Sequence, residues 1–205
     1  MSPTLTPAFA NGWRKLPNEL KLEIFSHVLP RNQTFDIGIL SDSSRQSKSR
    51  TAEDPTDIQL LWLFLEHPEF RDLAIAVFVK TNEFRVKVFS KGRERPLRSL
   101  CAHVQYLCIN TWASCSAWDW LASYAKYTNY YYKSLRRVKI VIDGLRHSMD
   151  PPKFQERAAT TGPIVFEAET LKVGYWGWRQ KLGSAFDIAE LKELVASNLM
   201  ARKAL

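Results

Sequence analysis

Between Leu16 and Leu29, apolar residues recur at Leu20, Ile24 and Val28, with Phe25 and Leu29 alongside and Lys21, Glu23 and His27 on the other faces. A four-residue recurrence of this kind is the mark of an amphipathic helix. Pro17 suits the first helical position, where a missing N–H costs nothing. Glu19 follows in the first turn, against the positive end of the helix dipole. Pro30 stops the helix, because the residue before a proline avoids helical backbone angles. Helical spacing returns at Ile58, Leu61, Trp62 and Leu65. It returns again after Pro68, at Phe70, Leu73, Ala74, Val77 and Phe78. Residues 1–12 read as a loose leader. Ser41 to Asp57, rich in Ser, Arg, Thr and Asp without apolar period, reads as a mobile loop.

The period then changes from helical to alternating. Phe84, Val86 and Val88 alternate with Arg85 and Lys87, which predicts a half-buried strand ending near Ser90. Lys91-Gly92-Arg93 turns the chain, and Leu97 to Ala102 fits a short helix. Three further strands are expected at Val104–Ile109, Val138–Asp143 and Leu171–Tyr175, with starts 34 and 33 residues apart. A helix over Ala117–Tyr132 between the first two makes a βαβ unit with parallel strands. Its repetition suggests a small parallel sheet or a degenerate leucine-rich-repeat-like stack, although regular leucines and an asparagine ladder are lacking. Asp187 can cap a last helix from Ile188 to Met200. Ile188, Leu191, Leu194, Val195 and Leu199 form its inner face, and Arg202 and Lys203 its basic end. The fold class is therefore α/β: a helical unit over residues 13–80 with a polar insert at 31–57, then a small sheet with flanking helices over 81–205.

The first helix resembles the opening helix of an F-box, with Leu16, Pro17, Glu19, Leu20, Ile24, Phe25 and Leu29 at the family's signature places. Phe70-Arg71-Asp72-Leu73-Ala74 is similar to a string found on the third F-box helix. Arg71, Ala74, Phe78, Asn82 and Phe84 also fall on a pattern seen in fungal F-box-like proteins. The two resemblances cover about the first 90 residues. They imply a three-helix N-terminal unit that binds a Skp-type adaptor of a cullin ubiquitin ligase through Leu16, Pro17, Leu20, Ile24 and Phe25. The rest of the chain would present a protein substrate. The insert at 31–57 is longer than the family's usual connection. A fungal interaction protein without a ligase role, its F-box-like helices absorbed into its own core, stays open as an alternative. Burial of Leu16 and Pro17 would favour it.

Composition narrows the classes. The 205 residues suit one domain or a small module plus a larger one, and 45% hydrophobic residues suffice for a sizeable core. The longest wholly apolar run, Leu73 to Val79, is seven residues, and Leu60 to Leu65 is six, both far short of the ~20 that span a bilayer. No secretory signal is visible at Met1 to Ala10, and the three cysteines are spaced by seven. That combination fits reduced thiols in the cytosol or nucleus. The formal charge is +8, and residues 80–98 alone carry seven Lys or Arg against two Glu. This segment is the basis for a further alternative, a nucleic-acid-binding module; a solvated strand face and turn is the plainer reading.

Candidate chemistry is sparse. His27, His67, His103 and His147 show no metal spacing, and Cys101 with His103, placed on one face of a strand, lacks a third ligand. There is no Gly-rich phosphate loop and no Gly-x-Ser-x-Gly elbow. Neither a cofactor nor an enzymatic role is expected. Trp120, Tyr124, Tyr127 and Tyr131 form one stripe on the middle helix. It is expected to pack on the sheet, with Trp118, Tyr130 and Tyr132 partly exposed. Those flanking rings, with Trp176, Trp178, Arg136 and Arg137, could instead make a recognition surface.

Overall fold

The computed structural model of the protein describes residues 7–37, 64, 68–87, 98–143, 151–176 and 188–203. The expected loop at Ser41–Asp57, the turn at Lys91–Arg93, the Asp187 cap and all but Phe64 of the Ile58–Leu65 helix lie outside the described residues. The protein is mixed α/β. It forms two units, residues 1–33 with 50–82, and residues 34–49 with 83–205.

In the first unit, helix α1 (Pro7–Lys15) takes the place of residues 7–12 of the expected loose leader, whose residues 1–6 lie outside the described residues. Phe9 and Trp13 stand one turn apart on it, and Trp13 is buried. Helices α2 (Asn18–Val28) and α3 (Pro68–Thr81) follow. The core of the unit is a set of edge-on rings. Trp13 meets Phe25 at 5.3 Å and Phe70 at 4.8 Å, and Phe25 meets Phe64 at 5.0 Å. Edge-to-face contact sets the positive rim of one ring against the negative face of another. Pro17 is not the first helical residue. It precedes the helix with extended backbone (φ −57°, ψ 150°), so α2 starts at Asn18. The far end is as expected: Leu29 is extended ahead of Pro30, and its N–H bonds back to the Phe25 carbonyl at 2.9 Å.

Asn82 ties α3 to the exit of α2. Its buried amide donates to the carbonyls of Pro30 (2.7 Å) and Phe78 (2.8 Å) and accepts from the Gln33 N–H (3.0 Å). One side chain thus satisfies three backbone groups that would otherwise be stranded. Asn32, in the turn it holds, is left-handed (φ 57°), a conformation asparagine tolerates better than most residues.

The second unit is built on a five-stranded parallel sheet, ordered β1 (Thr34–Asp36), β2 (Glu83–Lys87), β3 (Tyr106–Trp112), β4 (Arg137–Asp143) and β6 (Thr170–Trp176). The last four strands are those the alternation predicts. β1 corrects the expected polar insert, since Thr34–Asp36 is an edge strand of this sheet. Three connecting helices are α4 (Arg98–Cys101), α5 (Cys115–Tyr131) and α6 (Pro151–Thr161). Ser114 caps α5 by accepting the Ala117 N–H. Gly162, at φ 77°, takes the left-handed position that ends α6.

A second, two-stranded parallel sheet pairs β5 (Ile164–Glu167) with β7 (Leu199–Arg202). The Asn129 side chain bonds the Val165 carbonyl and the Glu167 N–H, both at 2.8 Å, and so occupies backbone groups of β5 that β7 leaves. Helix α7 (Ile188–Asn198) runs straight into β7, so the expected helix to Met200 is two residues too long. Arg202 belongs to that strand and not to a helix end.

Candidate functional site

Two surfaces stand out, one in each unit. The first is the outer side of α2. Phe25 and Leu29 are buried, while Leu20 is 46% and Ile24 41% exposed, with Val28 and Leu22 exposed beside them. Leu16 is half-buried and Pro17 exposed. The apolar stripe is therefore split: its Phe25 edge anchors the helix and its Leu20–Ile24–Val28 edge meets solvent. Of the five residues expected to contact a partner, four are accessible. Phe25 differs from them: at 1% exposure, closed in by Trp13, Phe64 and Phe70, it lies in the core of this unit.

The second surface is one face of the five-stranded sheet. Side chains alternate along each strand, so the register sorts them into rows crossing the strands. One face carries Phe35, Phe84, Val86, Leu107, Ile109, Val138, Ile140 and Ile142, all buried. The other carries most of the sheet's charged and polar side chains together with Trp112, Val141 and Trp176; among the described residues it is largely of partial or full exposure, with Cys108 buried. Nothing lies within 4 Å of where a Cβ on Gly174 would stand, and the neighbouring Trp176 is 61% exposed.

Four rows cross this face. In the first, Glu83, Tyr106, Arg137 and Thr170 are in register. Its charges are matched internally: Arg137 reaches Glu83 at 3.6 Å and lies over the Tyr106 ring at 4.9 Å. The second row is Asp36, Arg85, Cys108, Lys139 and Lys172. Lys139 and Lys172 are directly opposite each other and both exposed. Like charges so placed oppose sheet formation. Cys108 lies buried between the cations and donates to the Asn110 side-chain oxygen at 3.4 Å. Burial pushes its thiol up, with Glu83 adding to the shift and Lys139 and Arg85 opposing it. The third row is Lys87, Asn110, Val141 and Gly174. The fourth is Trp112, Asp143 and Trp176.

The aromatic stripe of α5 departs from expectation. The side of the helix that packs inward is Ala117, Trp118, Leu121, Ala125 and Thr128, all buried, with Tyr132 buried at its end. Trp118 and Tyr132 are thus core, and of the three flanking rings only Tyr130 is exposed. Trp120, Tyr124, Tyr127 and Tyr131 stack along a half-buried flank, with successive centroids 4.6, 5.8 and 4.6 Å apart. The inward side is the one with small residues, which let the helix approach closely, whereas four adjacent large rings pack on one another. Tyr124 and Tyr132 share a hydrogen bond at 3.4 Å, and burial pushes both phenols up. Trp178 lies outside the described residues.

Cys101 and His103 do not share a strand. Cys101 ends α4, buried, with its sulfur 3.9 Å from the Tyr127 hydroxyl, and His103 is exposed in the turn beyond. Burial pushes the Cys101 thiol up as well, so neither strand-side nor helix-side cysteine has the lowered pKa of a nucleophile. Among the described residues no three His, Cys, Asp or Glu side chains come together as a metal site. No described helix is long and apolar enough to cross a membrane.

Sequence reasoning reached the α2 surface and missed the charged sheet face as a unit, although it marked Trp176 and the basic strand at Arg85. The signal available was the 34- and 33-residue spacing of the strands: aligning their alternate positions gathers the rows. The chain matches no protein-family model, no curated protein and no solved structure.

Proposed function

We propose that the protein is a non-catalytic interaction module of the F-box-like, fungal type, which docks on a Skp-type adaptor of a cullin ubiquitin ligase through α2 and presents a protein substrate through its second unit, in the cytosol or nucleus. The observation that carries the reading is the split stripe of α2. A helix free to bury all its apolar residues on its own unit would do so; here Leu20, Ile24 and Val28 are left out while Phe25 and Leu29 are held in. Complete burial of a side chain such as Leu20 or Ile24 is worth ~1.5–3 kcal/mol. Since each is already about half covered, docking gains roughly half of that per residue. The reading with all F-box-like helices absorbed into the core requires Leu16 and Pro17 to be buried; the first is half-buried and the second exposed.

The test is capture by a purified Skp-type adaptor of the full chain and of a Leu20→Ser/Ile24→Ser variant. The intact chain should be retained and the variant should lose at least about tenfold in affinity, the equivalent of ~1.4 kcal/mol. Both substitutions lie on a solvent face, so the circular dichroism spectrum and melting temperature should hold. No capture of the intact chain, under conditions that retain an established F-box protein, would sink the reading. Equal capture of the variant would sink the assignment of the surface.

A further inference from the structure

The residues of β7 are poor strand formers. Leu199, Met200, Ala201 and Arg202, with Lys203 next, belong to the best helix-forming types, and alanine and lysine are depleted from strands. No glycine or proline separates them from α7. The helical period also runs on, since Leu191, Val195 and Leu199 stand four apart and all three are buried. Arg202 and Lys203 suit the negative end of a longer helix. Local preference and the observed strand therefore disagree over four residues, and such a conflict narrows the gap to the competing arrangement.

The strand is held by its ladder more than by its side chains. Of its four residues only Leu199 is buried, and Met200 is 45% exposed. Two observations set the direction of the ladder. Asn129 takes the Val165 carbonyl and the Glu167 N–H, and the Ala168 N–H donates to the Arg202 carbonyl at 3.1 Å. Backbone groups of successive residues in a parallel ladder point to opposite edges of the strand. Ile164, Phe166 and Ala168 therefore bond toward β7, and Met200 and Arg202 bond toward β5. Ala201 points its N–H and carbonyl the other way.

We propose that β7 is a detachable strap, which exchanges between this strand and one further turn of α7 and so uncovers the edge of β5. A helix end leaves its last carbonyls without helical donors. Extension brings the N–H groups of Met200, Ala201 and Arg202 to the carbonyls of Ala196, Ser197 and Asn198, four residues back. Leu199, one turn after Val195, stays on the buried stripe of the longer helix and is the pivot of the exchange. The brake is polar. The side chains of Ser197 and Asn198 both donate to the Leu194 carbonyl at 2.9 Å, local bonding of the kind that competes with a continuing helix. Release takes the ladder partners from Ile164, Phe166 and Ala168, while Asn129 keeps the opposite edge of β5 closed. The position of the strap thus governs whether β5 can pair with another extended segment.

The test is NMR saturation-transfer exchange at the Cα nuclei, with amide hydrogen exchange, on the full chain and three variants. Ser197→Ala with Asn198→Ala removes the brake and raises helix propensity. Ala201→Pro blocks the longer helix yet removes no ladder bond, because the N–H it replaces points away from β5. Met200→Val with Ala201→Val favours the strand without a proline, and carries the test if the proline variant does not fold. The brake variant should show a second state with helical Cα shifts at Met200, Ala201 and Arg202. Its Phe166 and Ala168 amides should exchange at least about tenfold faster than in the parent chain, with the Glu167 amide, held by Asn129, unchanged. Both strand-favouring variants should lack the second state. The strap is ruled out if the brake variant shows no second state, or one with the shifts of a frayed coil. It is also ruled out if Phe166 and Ala168 exchange no faster, if Glu167 accelerates equally, or if the strand-favouring variants keep the second state.

Discussion

The outer side of α2 and the charged face of the sheet are marked in opposite ways. On α2 the sign is the chemistry of what is exposed: Leu20, Ile24 and Val28 in water on a helix whose other edge is fully packed. Contiguous apolar exposure is unfavourable, so it asks for a partner. On the sheet the exposed residues are ordinary surface types, and the sign is architectural, since among the described residues the strand register gathers charged side chains into rows across one face. A search for hydrophobic patches finds the first surface and passes over the second. A comparison of strand registers finds the second and has nothing to say of the first. The two also respond to different conditions. The docking proposed for α2 would be driven by apolar burial and would tolerate salt, whereas any contact to the lysine row would weaken as salt rises.

The difference extends to how each surface is held, and substitutions behind the surfaces expose it. The largest effect is expected for Phe25→Ala. It removes the ring at the centre of the α2 anchor and leaves a cavity among Trp13, Phe64 and Phe70, at a cost of ~3–5 kcal/mol. Urea denaturation should show it, and adaptor capture should fall with the loss of the helix. Asn82→Ala comes next, at about 2–3 kcal/mol, because the Pro30 and Phe78 carbonyls and the Gln33 N–H lose one shared partner. Faster hydrogen exchange at the Gln33 amide would locate the damage. An unchanged exchange rate there would contradict the clamp.

Behind the sheet the weak point is alkaline pH. Tyr124 and Tyr132 ordinarily titrate near 10, and burial raises both in the folded protein; Tyr175 is pushed up to about 12 for the same reason. The unfolded chain therefore loses these protons first as pH climbs past 10. It binds fewer protons than the native state there, so stability is complete below that pH and falls above it. Each such group steepens the fall by about 1.4 kcal/mol per pH unit. Tyr124→Phe should make the decline shallower without removing it, since Tyr132 and Tyr175 remain. Denaturation midpoints across the alkaline range would check this, and an identical slope in the variant would contradict it.

What could be read from the sequence follows from how local each signal is. α2, α3, α5 and strands β2, β3, β4 and β6 are long enough to show their period in one stretch. β1 is three residues, Thr34-Phe35-Asp36, too short for alternation to register, and it owes its place to pairing with a strand almost fifty residues on. α6 has Phe154 and Ala158 as its buried residues, so its helical period is carried by two positions. α1 begins at a proline and has no acidic residue in its first turn, so it lacks the usual start signals. β7 follows α7 with no glycine or proline to mark the change. For the candidate surfaces the same rule holds. The α2 stripe is contiguous in sequence, but which of its edges faces inward depends on Trp13, Phe64 and Phe70. The rows on the sheet draw on strands from Glu83 to Trp176 and exist only once these are in register.

The place of β1 bears on how the protein is made. Residues 7–37 leave the ribosome carrying Phe25 and Phe35; Phe25 already has Trp13 in the same segment, but both rings still lack partners made later. Phe25 waits for Phe64 and Phe70, and Phe35 for Phe84, the residue paired with it across the edge of the sheet. Synthesis and folding are therefore out of step over the first third of the chain. During that interval the newly made segment is a natural client for a chaperone that shelters aromatic residues.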